Sequence, residues 1–102
     1  MNDQSAPGFV YRAEMGFTHY ELLKGLPSAT KPYEVTRITD LLHEIRCEDR
    51  LVTLTLSPER ARKIASISLP VIDVELSFFG FDHQQYESFM DRFKRYLHRG
   101  GG

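Results

Sequence analysis

At 102 residues, with 41% apolar and 26% charged side chains, the chain has the make-up of one folded domain with a modest core, not of a disordered tail. Its 13 basic and 14 acidic residues nearly cancel, which argues against general binding to a nucleic-acid backbone. A lone Cys47 excludes an intrachain disulfide and paired-cysteine metal or redox motifs, and no stretch nears the ~20 apolar residues of a membrane span.

Residues 1–8 read as a loose arm without the charged and apolar regions of a secretory signal, so a cytoplasmic location is the default expectation. From Phe9 to Met15 apolar and polar residues alternate, as in a strand with one buried face, and Gly16 ends the run. Thr18 and Glu21 have the spacing of a capping box, and Phe17 and Leu22 that of a hydrophobic staple. Gly25 and Pro27 predict that the helix is short, with Leu22, Leu23 and Leu26 as its buried contacts. A turn over 28–32 leads to a strand over 33–38.

Residues 39–47 fit either a strand or a short helix opened by Thr39-Asp40. The strand is preferred because Glu48-Asp49-Arg50 makes a good hairpin connection to Leu51–Leu56, the clearest strand in the chain. Ser57-Pro58-Glu59 reads as a helix start, with a capping serine and proline at the first helical position, and predicts a helix through about Ala65. Residues 71–79 alternate as a strand. Asp82 with Gln85, and Phe81 with Tyr86, then repeat the capping box and staple, and Tyr86, Phe89, Met90, Phe93 and Leu97 form one apolar stripe.

Together these elements predict an α+β fold: two layers, a mainly antiparallel sheet of about five strands, and three helices on one face, the longest C-terminal. Residues 9–99 are expected to form a single domain, followed by a glycine tail at 100–102.

For function, two basic groups stand out: Arg60, Arg62 and Lys63 on the expected second helix, and Arg92, Lys94, Arg95 and Arg99 on the last. If those helices lie side by side, they make one positive surface for an acidic protein or anionic ligand. A sheet face or strand edge is also open to a second copy, so a homodimer is expected as a partner alongside the anionic one. The leading reading is a small non-enzymatic accessory or interaction domain. The rival is a small enzyme or ligand-binding protein whose site gathers Arg12, Glu14, His19 and Tyr20 near the first helix.

No cofactor or metal is expected. His19, His43, His83 and His98 lack HxH or HExxH spacing, and on the strand reading His43 and Cys47 stand about 13 Å apart. Asp73 and Glu75 read as the solvent face of a strand. Nucleophile-elbow, phosphate-loop and dinucleotide motifs do not occur.

Overall fold

In a computed structural model, residues 6–97 are described. The first five residues of the expected arm, Arg99 and the glycine tail lie outside them. The element order is β1 (Phe9–Met15), α1 (His19–Ala29), β2 (Glu34–Arg37), β3 (Leu42–Cys47), β4 (Arg50–Leu56), β5 (Arg60–Ile64), β6 (Ile67–Phe79) and α2 (His83–Tyr96). The sheet is antiparallel throughout, in the order β1-β6-β4-β3-β2, with β5 also paired to β6. The architecture is therefore α+β with the longer helix last, as the sequence implies, but with six strands and two helices among the described residues.

Both helix starts follow their local grammar. Thr18 Oγ1 accepts from the Glu21 amide at 3.1 Å, and the Glu21 carboxylate accepts from the Thr18 amide at 3.0 Å. Asp82 and Gln85 form the same reciprocal pair at 2.8 and 2.9 Å. Each cap contributes about 1 kcal/mol by satisfying amides that have no partner inside the helix.

α1 runs longer than Gly25 and Pro27 imply, through Ala29. Pro27 removes one helical hydrogen bond, but Leu22, Leu26 and Ala29 are buried, and that burial offsets the loss. Thr30 then closes the helix, donating to the Leu26 carbonyl from its amide at 3.0 Å and its hydroxyl at 2.9 Å. Gly25 lets the second helix approach: a Cβ there would lie 2.9 Å from the Leu97 side chain.

The register sorts the sheet into two faces. Tyr11 faces Leu76 and Leu54 faces Leu76 from the other side, so these positions share the face under the helices. Ile45, Val52, Leu54, Leu56, Ile72, Val74, Leu76 and Phe78 line it, and Phe89, Met90, Phe93 and Leu97 close it from α2. Arg12 with Glu75, and Glu14 with Asp73, lie on the opposite, open face.

The third helix does not form. Residues 60–64 are a strand, and Ser57 caps a sheet instead. Its amide donates to the Asp73 carbonyl at 3.0 Å, and its hydroxyl oxygen accepts from the Asp73 amide at 2.9 Å. Leu56 faces Val74 and Arg60 faces Val71, so three residues on one strand oppose two on the other. The Ser57-Pro58-Glu59 segment is thus a β-bulge in one long hairpin, β4–β5 against β6. Strand β6 consequently begins before Pro70, which is tolerated where β6 has a strand on one side only.

Beyond the bulge, Arg60–Val71 forms an arm that turns at Ala65-Ser66, with Ala65 at φ 57°. At 13 residues β6 spans about 43 Å, which accounts for most of the molecule's 51 Å long axis.

Candidate functional site

Of the seven basic residues singled out from sequence, the six that are described do not merge into one helix surface. Arg60 and Arg62 sit on the open face of the arm, away from α2. Arg60 reaches Asp73 at 2.9 Å and Glu14 at 3.0 Å, and Arg62 bonds the other oxygen of Glu14. Hydrogen bonding and charge attraction to Asp73 and Glu14 raise the pKa of Arg60, so it stays charged. Two cations and two carboxylates therefore close a neutral network at the base of the arm. Lys63 is exposed and has no ion pair among the described residues.

The α2 group faces elsewhere. Arg92 Nε donates to the Ser28 carbonyl at 2.8 Å, and its guanidinium lies 4.5 Å from the centre of the Tyr96 ring. Lys94 stands over Tyr11, and Arg95 pairs with Asp91 one turn earlier at 3.0 Å.

The four residues of the rival site are likewise divided. Arg12 pairs with Glu75 at 3.2 Å, and Glu14 is held by the arm arginines, both on the open face. Tyr20 is 71% exposed, with the Lys24 ammonium over its ring. His19 belongs to a shallow depression with Arg37, Asp40 and Glu59. Its Nε2 is 2.7 Å from the Ser57 carbonyl and its backbone amide donates to Glu59 at 2.7 Å, so its contacts tie α1 to the bulge. Among the described residues no three His, Cys, Asp or Glu side chains converge as a metal site.

His43 is the buried polar group of this region, 3% exposed beneath the helices, with Nδ1 lacking any hydrogen-bond partner among the described residues. Burial, then the positive charge of Arg37, lowers its pKa below 6.5. The folded state therefore binds this proton less readily than the unfolded chain. The stabilising contribution is complete above pH 6.5 and is lost as pH falls below that value toward the lower folded pKa. His43→Leu is expected to hold its melting temperature at pH 7.5 and to lose less of it on acidification to pH 5.5. An equal acid-induced drop in both proteins would show that His43 does not titrate against the fold.

A cleft not signalled by any motif opens between the end of α1, the 31–33 segment and the first half of α2. Lys31, Arg50 and Arg92 reach it from three parts of the chain, beside Tyr33, Ser88 and Phe89. Arg50 donates to the Tyr33 hydroxyl at 3.0 Å and stacks over the Tyr33 and Phe81 rings. Burial is the first cause of a raised Tyr33 pKa, so the phenol stays protonated. Only the tertiary fold brings these side chains together; nothing in their spacing announces it.

No helix among the described residues is long and apolar enough to cross a membrane. Comparison with protein-family models, with curated proteins and with solved structures gives no match for this chain.

Proposed function

We propose that this chain is a small non-enzymatic interaction domain that self-associates through the β5–β6 arm. The observation that carries the reading is an exposed apolar row on the arm: Ile64, Ile67 and Leu69 are 54%, 58% and 45% exposed. Register places all three on one face, together with Arg60 and Arg62. A two-stranded hairpin projecting alone is marginal in water, and covering such a row from a second surface stabilises it.

Charge favours a second copy as that surface. An isologous contact brings each group close to its own equivalent, so an unbalanced basic face would repel itself. Here Arg60 and Arg62 are bound to Glu14 and Asp73, and the neutral network lets two such faces approach. Lys63 faces away from the row, by the alternation of the strand.

Sedimentation analysis of the wild type should give twice the 11.8 kDa chain mass. Ile64→Glu/Leu69→Glu should sediment as a monomer with its melting temperature maintained at low concentration, because both side chains are exposed. A wild-type monomer at every concentration, or a dimer that survives both substitutions, overturns the reading.

A further inference from the structure

We infer that the cleft lined by Lys31, Arg50 and Arg92 binds a carboxylate carried on an apolar or aromatic body. The inference is independent of the arm. It rests first on uncompensated charge. Every other described arginine lies within 3.7 Å of a carboxylate. Among the described residues Arg92 has none in ion-pair range, and Arg50 has only Glu48, 3.8 Å away with a side chain 80% exposed. Lys31 makes no ion pair among the described residues. The cleft wall also carries one carboxylate, Asp82, whose Oδ1 accepts from the Gln85 amide as the cap of α2, so the three cations leave the lining net positive.

The second support is preorganisation. Arg50 is fixed by the Tyr33 hydroxyl and two rings, and Arg92 by the Ser28 carbonyl and the Tyr96 ring. Each bond uses one nitrogen of a guanidinium and leaves further N–H groups for a ligand. Side chains already held in place lose less freedom on binding, and the planar fork of arginine matches a carboxylate. Tyr33 accepts from Arg50, so its own hydroxyl hydrogen remains available to donate.

The rest of the wall sets the body of the ligand. Half-buried Tyr33 and exposed Pro32 offer the apolar surface, and the buried Phe89 ring backs Tyr33 edge to face at 5.3 Å. An inorganic anion would leave that surface uncovered, whereas an aryl or alkyl acid covers it while its carboxylate meets the cations. Such a group occurs in a free small acid and at the end of a peptide, and the two share this chemistry.

The test is titration of the full chain with 3-phenylpropanoate, followed by calorimetry and amide chemical shifts. Saturable binding is expected, with shifts at Lys31, Tyr33 and Arg92, and the neutral 3-phenylpropanamide should bind roughly tenfold more weakly or not at all. Arg92→Gln should weaken the acid by a similar factor. Arg95→Gln should not, since Arg95 is paired to Asp91 and does not line the cleft. Arg92→Gln removes an exposed contact, so melting temperature serves as the check that it is folded. Tetrapeptides ending in phenylalanine, with free or amidated carboxyl ends, separate the two sources: a free-ended peptide tighter than 3-phenylpropanoate assigns a chain terminus, and a weaker one assigns a free acid. Equal affinity for acid and amide, no saturable binding, or undiminished binding by Arg92→Gln overturns the inference. None of these outcomes depends on whether the arm self-associates.

Discussion

Phe78→Ala is expected to lower stability by about 3–5 kcal/mol, which is a large share of the total for a domain of this size. Phe78 is fully buried on β6. Its ring lies edge-on to Phe81, Tyr86 and Phe89 at 5.0, 4.8 and 5.2 Å, so it joins β6 to the α2 entry and to the apolar stripe of that helix. Truncation removes the transfer energy of a buried ring and leaves a cavity between sheet and helix, where both walls are held by other contacts. A loss of this size corresponds to a fall of about 15–30 °C in melting temperature. Phe78→Leu, which refills part of the volume, should fall between the two. Tyr20→Ala serves as the comparison, since that exposed ring should change stability by less than about 0.5 kcal/mol. Thermal denaturation showing Phe78→Ala within about 1 kcal/mol of the wild type would mean that the helix does not depend on this ring.

Gly80→Ala is expected to cost about 2–4 kcal/mol, for two separable reasons. Gly80 has φ +80°, in the region that side chains avoid. A Cβ there would also stand 2.6 Å from the backbone carbonyl oxygen of Asp49, in the turn between β3 and β4. A flexible side chain could move aside, but a backbone carbonyl in a two-residue turn moves only with its hairpin. Urea denaturation should show a lower midpoint with little change in slope. Gly80→Asn distinguishes the causes, because asparagine tolerates positive φ but still carries a Cβ. A stability for Gly80→Asn equal to that of the wild type would show that the contact with Asp49 is not limiting.

The parts of the fold that were legible in the sequence depend on neighbours three or four residues apart. Thr18 with Glu21 and Asp82 with Gln85 form their caps as spaced, and the stripe from Phe89 to Leu97 is buried as its periodicity implies. Strands β1 and β4 follow their alternation, and β3 resolves the ambiguity of residues 39–47 by pairing with both β2 and β4. Where a local signal was overridden, a distant partner supplied the alternative. Pro27 stays within α1 because Leu22, Leu26 and Ala29 are held in the core. Arg60, Ala61, Arg62 and Lys63 have good helix propensity, yet they extend because β6 offers a complete ladder alongside.

By itself, then, the sequence determined the α+β class, the two real helix starts, the burial of the α2 stripe and the sheet's solvent face, since each follows from local spacing and the separation of apolar from polar side chains. Tertiary structure decided the fate of Ser57. Its hydroxyl could have capped amides a few residues on, but it meets the Asp73 amide, 16 residues away, and the sheet ladder continues through a bulge. That single choice moved Arg60 and Arg62 from an expected basic helix to a neutral network on an arm with an apolar row. Tertiary structure also collected Lys31, Arg50 and Arg92 around one cleft. Charge recognition depends on distances through space and on which cations already have partners, and spacing along the chain carries neither.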